Sequence, residues 1–154
     1  MSRMRLNPVV GHGAEHLVIG YLMRRNVLAY QAPPRNEGYD IICVHPESWL
    51  AKRRMIRVQV KSRAWDVNDR SVQVKKGDID GFDYLVAVFM NIKSSGKIKR
   101  RAIASPPDFY TVSQKWVRKN LRPYGKVFFP ITGMDRYQNL LGFEQIAQDL
   151  GVSY

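Results

Sequence analysis

Apolar and polar positions change period several times along the chain, and each change marks an element. From about Gly11 to Arg25 the residues Ala14, Leu17, Val18, Tyr21 and Leu22 recur at helical spacing, which predicts an amphipathic helix with a basic last turn. Residues 1–10 read as an extended lead-in, with Pro8 barring an earlier helix start. Val27–Gln31 is expected as a strand and Ala32–Gly38, with its paired prolines, as a turn. Two short segments rich in β-branched residues follow, Gly38–Cys43 and Ile56–Ser62, and both alternate in polarity as strands do. Ser71–Lys75 is expected to complete a meander, before Lys76-Gly77 turns the chain into Asp78–Asp83. Tyr84–Met90 is a continuous apolar run, the pattern of a strand buried on both faces. A basic turn over Lys93–Arg101 joins it to a strand at Arg101–Ala104. Ser105-Pro106-Pro107-Asp108 reads as the start of a helix carrying Phe109, Val112, Trp116 and Val117 on one face, ended by Pro123-Tyr124-Gly125. Lys126–Ile131 is expected as a last strand, and Leu140, Leu141, Phe143, Ile146, Ala147 and Leu150 mark a helical region ending near Gly151.

The alternation in the second β-branched segment carries the candidate chemistry. Ile56, Val58 and Val60 point one way, so Arg57, Gln59 and Lys61 point the other. A Gln and a Lys on one face of an otherwise apolar strand are costly unless that face lines a cleft. If the two segments pair through Val44–Arg54, Asp40 lies beside Gln59 and Lys61, and an acid, an amide oxygen and an ammonium converge. Such a spot suits a divalent metal and a phosphate. The bland reading is that Gln59 and Lys61 are solvated residues on an exposed sheet face.

Asp40 with Gln59-Val60-Lys61 resembles the PD-(D/E)XK nuclease motif, and the resemblance extends to Gly77-Asp78-Ile79-Asp80-Gly81-Phe82-Asp83 and to Val127–Ile131. The set is similar to the group that includes a cyanobacterial intron-encoded homing endonuclease, and more distantly to archaeal Holliday-junction resolvases. The resemblance implies a restriction-endonuclease-like α/β fold, a mixed sheet flanked by helices. It implies a DNA endonuclease that uses Mg²⁺ (or Mn²⁺), with Asp40 as main ligand, helped by the Gln59 amide oxygen, the Val60 carbonyl and Glu15 from the first helix. Lys61 would stabilise charge developing on the phosphate. Gln59 departs from the acid usual at its place, removing one negative charge, which leaves open a non-cleaving DNA-binding relative. A structure-specific resolvase is the other alternative. Asp78, Asp80 and Asp83 are expected to cap a turn and shape the cleft wall rather than bind metal.

Charge adds a partner. The chain of 154 residues has 25 Lys+Arg against 13 Asp+Glu, a formal +12, which favours a polyanion. Lys93, Lys97, Lys99, Arg100 and Arg101 are the expected grip on double-stranded DNA, and Lys115, Arg118, Lys119 and Arg122 are either a second grip or the wet side of a helix. The length fits one domain spanning residues 1–154. No apolar run reaches membrane-spanning length and the first residues lack a secretory h-region, so a cytoplasmic (intracellular) location is expected. Cys43 is the only cysteine, which excludes an intrachain disulfide and a Cys-based zinc site. His12-Gly13-Ala14-Glu15-His16 satisfies the inverted zinc-protease pattern, yet Gly13 weakens the helix between its ligands. Cutting both strands with one site per chain calls for a homo-oligomer, a dimer or tetramer, with Tyr137, Leu140, Leu141 and Phe143 as its candidate contact.

Overall fold

The computed structural model describes residues 8–64, 70–93, 103–104 and 106–153. Helix α1 spans Pro8–Arg24 and buries Ala14, Val18 and Leu22 of the predicted stripe, with Tyr21 half-buried and Leu17 exposed. It begins at Pro8 rather than near Gly11, because a proline in the first turn gives up no helical hydrogen bond. Arg25, just past its end, is buried and donates from Nε to Glu144 at 2.6 Å.

Five strands form the main sheet: β1 (Leu28–Gln31), β2 (Ile41–Val44), β3 (Ile56–Arg63), β5 (Tyr84–Phe89) and β8 (Asp108–Ser113), side by side in that order. All neighbours are antiparallel except β3 and β5, which run parallel with Gln59 opposite Leu85 and Lys61 opposite Ala87. The remaining strands lie outside this sheet. β4 (Ser71–Gln73) pairs with β9 (Lys126–Phe128), and β6 (Ile92–Lys93) with β7 (Ile103–Ala104). Helices α2 (Gln114–Asn120) and α3 (Asn139–Leu150) complete the chain, α3 ending on Gly151 in the left-handed region at φ 84°.

A core lies on each side of the sheet. On one, Ile41, Cys43, Ile56, Val58 and Val60 meet α1 and the α3 residues Phe143, Ile146 and Leu150. On the other, Leu85, Ala87 and Phe89 meet Val72, Val127, Phe129 and, from α2, Val117. The mixed sheet flanked by helices is the fold class that the sequence implies.

Three further elements differ from the sequence reading. Ser71–Gln73 does not extend a meander from β3, because β5 takes that edge, and β4 instead lays Val72 on the second core. Residues 108–113 form a strand and not the first turns of a helix. Phe109 enters one core while Tyr110 and Val112 enter the other, which a strand buried on both faces allows and an amphipathic helix does not. The helix then begins at Gln114, where the Ser113 hydroxyl accepts the Trp116 N–H at 3.2 Å. The last strand is also shorter than expected, stopping at Phe128.

Candidate active site

Asp40 stands just before β2, and its backbone N–H donates to the Val58 carbonyl at 2.9 Å. That bond carries the β2–β3 register one step beyond Ile41 opposite Val58, so Asp40 falls beside Gln59. Gly38 prepares this placement. Its φ of +88° needs glycine, and a Cβ there would sit 2.9 Å from the Gly81 Cα. The segment Lys76–Gly81, a 3-10 turn, therefore packs backbone against backbone on the approach to Asp40.

Two of the three acids in Gly77–Asp83 are occupied elsewhere. Asp80 pairs with Arg118. Asp83 accepts the Arg57 N–H at 2.7 Å and Arg53 Nη2 at 2.8 Å. Burial works against its ionisation, yet these Arg57 and Arg53 contacts hold the Asp83 carboxyl below its ordinary range. Gln114 Nε2 donates to the carbonyls of Ile79 and Phe82 at 2.7 and 2.9 Å and fixes the segment to α2, and none of residues 77–83 lines the cleft beside Asp40, whose wall they were expected to shape.

Asp40 Oδ2 accepts two hydrogen bonds from β3, the Val60 N–H at 2.7 Å and Gln59 Nε2 at 2.5 Å. Gln59 is only 8% exposed and Lys61 is half-buried, so the solvated-face reading does not describe them. The end of Gln59 that meets Asp40 is its amide nitrogen, whereas the sequence reading turned its oxygen toward the metal. Glu15 approaches from α1, and His12 Nδ1 lies 3.7 Å from its Oε2. A cleft of about 310 Å³ opens between them, lined among others by His12, Glu15, Gln31, Pro33, Tyr39 and Asp40.

Both carboxyls are held above their ordinary range. Burial raises Glu15 most, and the nearby Asp40 charge adds to it, against the opposing pull of His12 and Gln31. Burial also raises Asp40, against the Val60 N–H, the Lys61 ammonium and His12. Two carboxylates that repel each other in a partly desolvated cleft gain from a cation. Among the described residues no group of three His, Cys, Asp or Glu side chains converges. The donors present are hard oxygens, the two carboxylates and the Val60 carbonyl, and this set suits a cation such as Mg²⁺ that keeps several of its waters.

The chain is similar to a solved bacterial homing endonuclease, I-Ssp6803I, over 94% of each chain, with a TM-score of 0.57 at 16% identity. The two share a fold. No family model matches the sequence, and no curated protein does.

Among the residues singled out from sequence, Glu15, Asp40, Gln59, Val60 and Lys61 come together. Lys97, Lys99, Arg100 and Arg101 lie outside the described residues, as does the side chain of Lys93, whose backbone belongs to β6. Of the proposed oligomer contacts, Leu140 and Leu141 are exposed, whereas Phe143 is buried against Tyr21, with ring centroids 5.7 Å apart. Sequence reasoning left His12 without a definite role and missed Gln31 at the cleft. The first was visible as the residue three before Glu15, one helical turn away. Gln31 had no signal, since only the β1–β2 pairing carries it to Glu15.

Proposed function

We propose that the chain is a Mg²⁺- or Mn²⁺-dependent DNA endonuclease of the PD-(D/E)XK kind, hydrolysing phosphodiester bonds of double-stranded DNA much as a homing endonuclease does. The observation that carries this reading is the half-buried Asp40, bonded to β3 at Gln59 and Val60 and facing Glu15, on a fold shared with a homing endonuclease. Asp40, Glu15 and the Val60 carbonyl would hold the cation, joined by the Gln59 oxygen after a half-turn of its amide. The bound cation would supply Lewis-acid charge to the phosphate and ease deprotonation of the attacking water. Lys61 adds a positive charge beside Asp40 that favours the phosphorane over the ground-state diester. The Val60 N–H and Gln59 keep Asp40 oriented, and His12 borders the cleft where a phosphate enters. The basic segment Lys93–Arg101 is the proposed grip on the duplex. Two chains, each with one site, would cut the two strands, with Leu140 and Leu141 at their contact.

Nicking of supercoiled plasmid in Mg²⁺ tests this reading. Wild type should nick, Asp40→Ala should bind DNA without nicking, and Lys61→Ala should lose at least ~100-fold in rate, about 3 kcal/mol. Wild type that binds DNA but never nicks in Mg²⁺ or Mn²⁺ would make it a non-cleaving relative, the reading that the amide nitrogen on Asp40 favours. Preference for a four-way junction over linear duplex would make it a resolvase.

A further inference from the structure

A second cleft, of about 520 Å³, lies between α2, α3 and the turn at Asp135–Tyr137, on elements that do not build the Asp40 site. Its lining includes Lys115, Lys119, Arg136, Trp116, Tyr137 and Gln145, and no acidic residue. Lys115 and Lys119 are one helical turn apart on exposed faces of α2, and neither forms an ion pair among the described residues. The third cation of this helix, Arg118, is by contrast neutralised by Asp80. Arg136 does not leave the cleft for an acid; it donates to the Tyr137 hydroxyl at 2.6 Å and its guanidinium lies 4.8 Å from that ring.

The floor is aromatic and held in place. Trp116 stacks on Phe129 with centroids 5.6 Å apart and planes 20° from parallel, which supports the indole from behind. Tyr137 stands 6.1 Å from Trp116 and tilted by 51°. Gln145 reaches from α3 to the carbonyls of Thr111 and Arg136, at 3.2 and 3.4 Å, and ties the turn to the sheet. Three cations around a supported aromatic surface form a site for an anion that carries a flat ring. Phosphate alone would use the cations and leave the rings idle, and a stacked duplex exposes phosphates but not base faces.

We propose that this cleft binds an unstacked nucleotide of single-stranded DNA, its phosphates on Lys115, Lys119 and Arg136 and its base against Trp116 and Tyr137. The proposal rests on the DNA-endonuclease reading for its partner class, and it assigns the protein a second contact with strand that is displaced or already single. A cleft of this size lies within the ~300–1,000 Å³ usual for small-ligand sites.

The test is tryptophan emission in a Trp49→Phe/Trp65→Phe background, which leaves Trp116 as the reporter among the chain's 3 tryptophans. Titration with oligo(dT) in EDTA should quench Trp116, and an equal length of duplex should quench it far less. Lys115→Gln/Lys119→Gln should weaken oligo(dT) binding about tenfold and lower its salt slope, by roughly 0.7 for each phosphate that is no longer neutralised. Mg²⁺-dependent nicking of a short duplex by the protein with Trp116 alone is the separate readout of the endonuclease reading. In the protein with Trp116 alone, no quenching by oligo(dT) with nicking retained overturns the nucleotide site alone, whereas quenching without any nicking overturns the endonuclease reading and leaves this site standing. Equal quenching by inorganic phosphate or duplex also refutes the proposal. So does Trp116 quenching that follows protein concentration without oligonucleotide, which would make the cleft a contact between copies of the chain.

Discussion

At Gln59 the candidate site carries an amide where a glutamate would put a third negative charge beside Asp40 and Glu15. The amide donates to Asp40, so it damps the repulsion between the two acids while no cation is bound. Gln59→Glu should therefore lower the metal-free Tm, because a carboxylate only 8% exposed would face another with no donor between them. With Mg²⁺ added the same variant should show a larger rise in Tm than wild type, since ligand-linked stability grows with affinity, by ~2.7 kcal/mol at a hundred times Kd. Gln59→Ala should shrink the rise, and calorimetry with and without Mg²⁺ measures all three. An equal Mg²⁺ shift in every protein would make Gln59 a bystander. Asp83 answers pH in a way that is independent of the cleft. Its lowered carboxyl contributes stability that is complete above the ordinary Asp value of about 3.9 and is lost as pH falls through the lowered one. Asp83→Asn should cost about 2 kcal/mol at pH 7, the worth of a hydrogen bond to a charged group, and the gap to wild type should close in acid. Urea unfolding at the two pH values reads it. Cys43 does not compete for a chemical role, because burial pushes its thiol up to about 12.

Among the elements, the approach of the Lys76–Gly81 turn to Gly38 is the contact on which the position of Asp40 depends. A Cβ on Gly81 would lie 2.8 Å from the Gly38 Cα, and neither backbone has a flexible end that could yield. Gly81→Ala should cost about 1–3 kcal/mol through overpacking, and it should slow nicking by shifting Asp40 away from Val60. Gly20 in α1 is the control, since a Cβ there meets nothing within 4 Å. Gly20→Ala should gain up to about 1 kcal/mol from helix propensity and leave nicking alone. Denaturation midpoints together with nicking rates check the pair. Equal effects at both glycines would show that the close approach does not matter.

For the whole molecule, the +12 charge favours a polyanionic partner. Duplex binding should weaken with salt by about 0.9 log units in affinity per log unit of salt for each phosphate contacted. Charge reversal at Lys97, Arg100 and Arg101 should reduce that slope while leaving the Mg²⁺-induced Tm rise intact. Filter binding over a salt series is the measurement, and an unchanged slope would remove these residues from the interface. Among the described residues no helix is long and apolar enough to cross a membrane.

Local pattern was enough wherever the next residue's burial followed from this one's. The alternation of Ile56, Val58 and Val60 against Gln59 and Lys61 set two faces of a strand, and the short connection back to Asp40 brought acid and amide together. The period of Ala14, Val18 and Leu22 likewise gave α1 its buried side and put Glu15 at the edge of that side. Partners distant in sequence were beyond such reading. Phe109, Val112 and Trp116 have spacing that a helix also satisfies, and only the open edge of β5 makes residues 108–113 a strand. Gly81 looks like any turn glycine until Gly38 lies against it. The end of the Gln59 amide that meets Asp40 is chosen by a carboxylate that accepts and cannot donate, a choice made only when β2 and β3 are in register. Sequence periodicity records which face is buried; pairing in three dimensions decides what is buried against it.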